Sequence, residues 1–76
     1  MTQSNLSATT AEIKAYKKLP IKDRFAIVAA INSLRDMDIF GNLPSPETII
    51  AVCQKTGHLE IAMACYGAEL NKQDWI

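Results

Sequence analysis

The first regular pattern of apolar and polar positions in the chain falls on residues 10–18. Ile13 and Tyr16, with Leu19 just after the segment, share one side. Lys14, Lys17 and Lys18 share the other. This spacing predicts a first helix over residues 10–18. Thr9 and Glu12 are placed as in a capping box, which satisfies free amides at a helix start.

The next segment, residues 20–37, is apolar nearly all round. It contains the run FAIVAAI, whose alanines favour a helix over a strand. Proline is well tolerated at a first helical position, so we expect this second helix to begin at Pro20. A helix without a wide polar face is typically buried. The pattern therefore predicts that the second helix forms the centre of the core.

A connection rich in glycine and proline follows, and we expect Ile39 and Phe40 to pin it to the core. Ser45 provides a capping hydroxyl and Pro46 suits a first helical position. A third helix is therefore predicted over residues 46–56. Its expected inward face consists of Ile49, Ile50, Val52 and Cys53.

Gly57 suits the left-handed conformation that closes a helix, and a fourth helix is predicted over residues 58–70. The main apolar stripe of this helix consists of Leu59, Ala62, Met63, Tyr66 and Leu70. A second stripe consists of Ile61, Ala64, Cys65 and Ala68. Such a helix is either buried on both sides or offers one face to a second molecule. The second stripe and Trp75 are thus candidates for self-association in a homodimer, although Trp75 alternatively folds back over the core.

Together these segments predict an all-α fold, a small bundle of about four helices. Residues 1–8 are expected to be a flexible lead-in and residues 9–76 a single helical domain. The chain has 76 residues, of which 49% are hydrophobic and 21% charged, as is ordinary for a globular domain. A chain this short has little room for a deep pocket with a full catalytic set.

The N-terminus lacks the basic start and apolar run of a secretory signal, and no apolar stretch approaches the length of a membrane span. We therefore expect a cytoplasmic protein that does not act at a membrane. In a reducing compartment Cys53 and Cys65 are expected to be free thiols that serve as small core residues.

Charge is balanced over the chain but not along it. Residues 1–35 carry six basic and two acidic side chains, a net +4, and residues 36–76 carry two basic and six acidic ones, a net −4. Such an asymmetry can orient a binding encounter. The candidate partner-binding residues in the basic half are Lys14, Lys17, Lys18, Lys22 and Arg24.

The residues that could carry chemistry do not form a recognisable site. Cys53, His58 and Cys65 are three potential zinc ligands, but their spacing matches no zinc motif. His58 has no nucleophile placed beside it by sequence, and the chain has no glycine-rich phosphate loop. We expect no metal, no cofactor and no enzymatic activity.

The third and fourth helices are also consistent with a helix-turn-helix that binds nucleic acid. Residues 58–70 contain no Lys or Arg and do contain Glu60 and Glu69, which would face phosphate. If DNA or RNA binds, we expect it to contact the basic residues of the N-terminal half instead.

Residues 48–74 resemble one ankyrin repeat. Thr48 stands nine residues before Gly57, and the runs GHLEI and GAELN, followed by Asp74, are similar to the consensus of the second helix and the turn after it. The resemblance implies a helix-turn-helix-loop unit. Of the T-P-L-H-x-A stretch only Thr48 is kept, so we carry over this local arrangement and no ankyrin function.

The sequence therefore predicts a non-catalytic protein that binds a larger macromolecular partner. Adaptors, antagonists and inhibitors act in this way, including small proteins of phages and other mobile elements. We expect the partner to be a protein. The alternatives are a nucleic-acid-binding regulator that uses the basic N-terminal helices, and a self-associating dimerisation module.

Overall fold

The structure, a computed structural model, is an all-α bundle and describes residues 11–39 and 41–76, with the backbone alone at 38 and 39. The described residues form four helices: α1 (residues 11–18), α2 (Ile21–Ile39), α3 (Pro46–Gln54) and α4 (Leu59–Leu70). The expected lead-in, the Thr9 cap and the packing of Ile39 and Phe40 lie outside the described residues.

Helix α2 begins one residue later than its sequence predicts. The carbonyl oxygen of Pro20 accepts hydrogen bonds from the backbone amides of Asp23 and Arg24, both at 3.0 Å. Pro20 therefore precedes the first helical residue, Ile21, rather than occupying that position. The helix also continues to Ile39, two residues past the predicted end at residue 37.

The predicted start of α3 is confirmed. The Ser45 hydroxyl oxygen accepts a hydrogen bond from the backbone amide of Thr48 at 3.2 Å, and Pro46 occupies the first turn. The helix ends at Gln54 rather than at residue 56, because the chain tightens into a turn there. Gly57 adopts the left-handed conformation, with φ +81°, so the predicted role of this glycine is also confirmed.

Contacts at both ends of α2 fix the directions of its neighbours. His58, at the start of α4, contacts Asp23 near the start of α2, and Glu69 near the end of α4 pairs with Arg35. Helices α2 and α4 therefore run in the same direction, and α3 runs opposite to both. The three helices contact one another. The buried core consists of Tyr16, Ile27, Ala30, Ile31, Leu34, Cys53, Ala62, Cys65, Tyr66, Ala68 and Trp75.

The expectation that α2 lies at the centre of the core holds for one side of the helix only. Ile27, Ile31 and Leu34 are fully buried, whereas Phe25 is 66% exposed and Ile21 is 59% exposed. The physical reason is that a bundle this small covers only one side of α2. Ile50 on α3 was expected to face inward, and this is wrong, because its side chain is exposed. The bundle is too small to cover every side of α3 as well.

Candidate interaction surface

The uncovered side of α2 carries a group of apolar side chains, which we call the α2 patch. It consists of Ile21, Phe25, Ala26 and Ala29, all of them exposed. Ile21, Phe25 and Ala29 follow one another at intervals of four positions, and Ala26 stands three positions before Ala29, so the four side chains lie on one broad side of the helix. Phe25 is two-thirds exposed in the second turn of α2, so most of its side chain does not contribute to the core.

An open groove of about 210 Å³ adjoins the α2 patch. Its α2 side is lined by Ala26, Ala29, Ala30 and Ser33, and its α3 side by Val52, Lys55 and Thr56. We call it the α2–α3 groove. Because the α2 residues are small, the two helices leave a depression between them rather than closing into a packed seam.

The charges around the α2–α3 groove are unevenly placed. Lys55 lines the groove, and the exposed Lys22 lies one helical turn before Ala26. Asp36 is exposed one turn beyond Ser33, at the other end. Asp23, the acid nearest in sequence to Lys22, is engaged elsewhere, since its Oδ2 lies 3.2 Å from Nε2 of His58. The end of the groove near Lys22 and Lys55 is therefore cationic.

The five basic residues singled out in the sequence do not share one environment. Lys14, Lys17, Lys18 and Lys22 are exposed, and none of them forms an ion pair with another described residue. Arg24 instead lies half-buried, and its Nε atom is buried without a hydrogen-bond partner in the described part of the chain. We call these four exposed lysines, three on α1 and one in the first turn of α2, the lysine face.

The second stripe of α4 lies largely inside the bundle. Cys65 and Ala68 are fully buried, and Ile61 packs partly against the core. Ala64 is partly exposed. Most of this stripe is therefore covered within one chain, which was one of the two arrangements the sequence allowed, and it offers little surface to a second copy.

Trp75 folds back over the core and is 4% exposed. Its ring packs edge-on against Tyr16, with the centroids 5.3 Å apart, and its Nε1 donates a hydrogen bond to Oε1 of Glu69 at 2.9 Å. Oε2 of Glu69 pairs with Arg35 at 3.3 Å. One carboxylate thus joins the C-terminal segment, α4 and α2, so Trp75 is part of the fold rather than of a free surface.

The two cysteines are free and buried in the core. Burial raises the pKa of Cys65 to about 12, with smaller contributions from Cys53 and Glu12. Burial also raises the pKa of Cys53. Because the thiolate is the nucleophilic form, neither cysteine is suited to catalysis at neutral pH.

The raised pKa of Cys65 predicts that alkali destabilises the fold. In the unfolded chain this thiol loses its proton near 9.0, but in the folded chain only near 12. The protonated thiol therefore contributes to the free energy of unfolding in full below pH 9. This contribution is lost as the pH rises toward 12, because the unfolded state releases its proton first. Urea unfolding between pH 8 and 11 should show a weaker pH dependence in Cys65→Ala than in the unchanged protein. An identical dependence in both proteins would contradict the assigned burial.

Other chemistry-bearing groups are dispersed. Among residues 11–39 and 41–76, no group of three or more His, Cys, Asp or Glu residues is placed to hold a metal ion. His58 precedes α4 as its N-cap residue, and its carbonyl oxygen accepts the Ala62 amide at 2.9 Å. None of the helices in the described part of the chain is both long and apolar enough to cross a membrane.

Fold and surface together define a small all-α bundle with an exposed apolar patch beside an open groove. No protein-family model matches the chain, and no curated protein and no solved structure is significantly similar to it. The local resemblance to an ankyrin repeat therefore corresponds to a helical hairpin, α3 and α4, without a family assignment.

Proposed function

We propose that this protein acts without catalysis, by binding another protein through the α2 patch. The observation that carries this proposal is the 66% exposure of Phe25 beside Ile21. Burying an exposed aromatic or branched aliphatic side chain gains about 1.5–3 kcal/mol, so each of these residues can stabilise a complex appreciably. A protein that covers the α2 patch is the simplest source of that gain.

The arrangement of the α2 patch supports an interface rather than scattered surface apolar residues. Single exposed apolar side chains are ordinary, but a group that continues into a groove is typical of interaction sites. Aromatic side chains are enriched at such interfaces, whereas the surrounding rim is polar. Lys22 and Lys55 provide a polar rim here. We therefore propose an adaptor, antagonist or inhibitor that covers part of a larger protein in the cytoplasm.

The test is a substitution of Phe25 with a charged residue. We expect Phe25→Glu to reduce capture of the partner from a lysate of the native host at least about tenfold, since a buried carboxylate without a partner strongly opposes binding. Capture by the tagged protein is measured by quantitative mass spectrometry. Leu43→Glu is the matched control, because Leu43 is 77% exposed and lies in the connection between α2 and α3.

Both variants should keep the helical circular dichroism of the unchanged protein, because neither side chain is buried. Loss of the same captured protein from both variants, or retention by Phe25→Glu, would show that the α2 patch is not the binding surface. The comparison thus separates a specific contact from general apolar adhesion.

A second candidate function is nucleic-acid binding, and the lysine face favours it. Four exposed lysines without ion pairs to described residues suit contacts with phosphates, whose affinity falls steeply with salt. Salt-sensitive binding to duplex DNA that is lost when Lys14, Lys17 and Lys18 become Glu, and kept in Phe25→Glu, would favour this function over protein binding.

A further inference from the structure

We infer that the α2–α3 groove binds an amphipathic α-helix of the partner protein, one that carries acidic side chains beside its apolar ones. This inference rests on the proposed function, because it specifies the chemistry of the protein that covers the α2 patch. Its three supports are the shape of the groove, the apolar edge beside it and the charge at one end.

The shape of the groove suits a large side chain presented by a helix. The lining residues of α2 stand at positions i, i+3, i+4 and i+7: Ala26, Ala29, Ala30 and Ser33. Four residues at this spacing form the hole that receives one side chain of a neighbouring helix in knobs-into-holes packing. Because three of these four residues are alanines, the groove between α2 and α3 stays open, with a volume of about 210 Å³ that a leucine, methionine or phenylalanine side chain of a partner helix can enter.

The surroundings of the groove extend the apolar contact beyond this hole. Val52 of α3 and Thr56 of the turn after it form the opposite wall. Phe25 lies four positions before Ala29 and Ile21 four before Phe25, so these exposed side chains border the groove on the side of α2 away from α3, where a broad partner helix can also cover them. An extended strand has no comparable place to bind, because the described residues contain no β-strand whose edge it could join.

Charge selects an acidic partner helix. Lys22 and Lys55 lie at one end of the groove, and no carboxylate of the described residues lines it. Asp36 lies beyond the other end, so the acidic side chains of the partner are expected over the lysine end. Complementary charges at an interface rim contribute mainly to the rate of association and to the choice of partner.

The probes for the test are two synthetic helical peptides of about 16 residues, a length that supports helix formation. Both carry leucines at i, i+3, i+4 and i+7, flanked by glutamates in one peptide and by lysines in the other. We expect the glutamate peptide to bind roughly tenfold more tightly by fluorescence anisotropy. In nuclear magnetic resonance spectra, the shifted amides should be those of Ala26, Ala29, Ser33 and Val52.

Variants of the groove sharpen the result. Lys22→Glu combined with Lys55→Glu should reverse the preference, so that the lysine peptide binds more tightly, whereas Lys72→Glu on the exposed C-terminal segment should leave it unchanged. Ala29→Phe should fill the exposed hole and weaken both peptides without loss of helical structure.

Binding of neither peptide, equal binding of both, or shifts confined to another surface would overturn the inference. If capture of a host protein still depends on Phe25 in that case, the proposed function stands. Only the inference that the partner binds through an acidic helix is then wrong. Self-association that Met63→Glu abolishes would instead show that α4 of a second copy, with its exposed Met63 and Glu60, occupies the groove. That result would also overturn the inference.

Discussion

Replacing Trp75 with alanine should lower the free energy of unfolding by about 3–5 kcal/mol, the usual cost of truncating a buried aromatic side chain. Trp75 is 4% exposed, packs edge-on against Tyr16 and donates a hydrogen bond to Glu69. The substitution removes all three contributions and leaves a cavity between α1 and the C-terminal segment. For a chain of this size, whose total stability is small, such a loss approaches complete unfolding.

Urea unfolding followed by circular dichroism measures this change. Ile76→Ala is the matched control, because Ile76 is the next residue and is 77% exposed. We expect the control to change the free energy of unfolding by less than about 0.5 kcal/mol. A loss below about 1 kcal/mol in Trp75→Ala would mean that the C-terminal segment does not pack as described.

The second large effect is a contrast between two residues of α2. Ile31→Ala should lower the free energy of unfolding by about 2–5 kcal/mol, because Ile31 is fully buried in the core. Phe25→Ala should change it by less than about 0.5 kcal/mol, although it removes a larger side chain, because that side chain faces solvent. Alanine also favours the helix slightly more than phenylalanine does.

The same unfolding experiment measures both variants, and their order is the result that matters. A larger loss in Phe25→Ala than in Ile31→Ala would mean that α2 is rotated about its axis. The α2 patch would then be part of the core, and both the proposed function and the groove inference would lose their basis.

Local signals in the sequence were sufficient to predict the fold class and most of its boundaries. The Ser45 cap, the proline that follows it and the left-handed Gly57 are each decided by the conformational preferences of one or two residues. The opposite placement of apolar and lysine residues on α1 likewise follows from helical spacing, since Tyr16 is buried and the lysines are exposed. The errors of one or two residues lie at helix ends, where such signals are weakest.

The candidate site was not predicted, because its residues look like core residues. Phe25, Ala26 and Ala29 belong to the run FAIVAAI, whose pattern does not distinguish the covered side of α2 from the open one. The sequence carries one signal of the open side in Lys22, Asn32 and Ser33, three polar residues that are exposed on α2. That signal is faint beside seven consecutive apolar residues.

The distinction between Arg24 and its basic neighbours was also beyond the sequence. Lys22 and Arg24 are two positions apart on α2, which places them on different sides of the helix. Only the packing of the other helices decides which of these sides is open, and it leaves Lys22 exposed and Arg24 half-buried.

By itself, the sequence determined the all-α class, the approximate helices and their caps, because these depend on interactions between residues close together in the chain. Tertiary structure alone decided which side of α2 is covered, that Trp75 closes over Tyr16 and that a groove remains open beside α3. These features depend on how residues far apart in the chain share a limited buried volume. With so few helices there is not enough surface to cover every apolar side, and the side left uncovered is the one proposed to bind a partner.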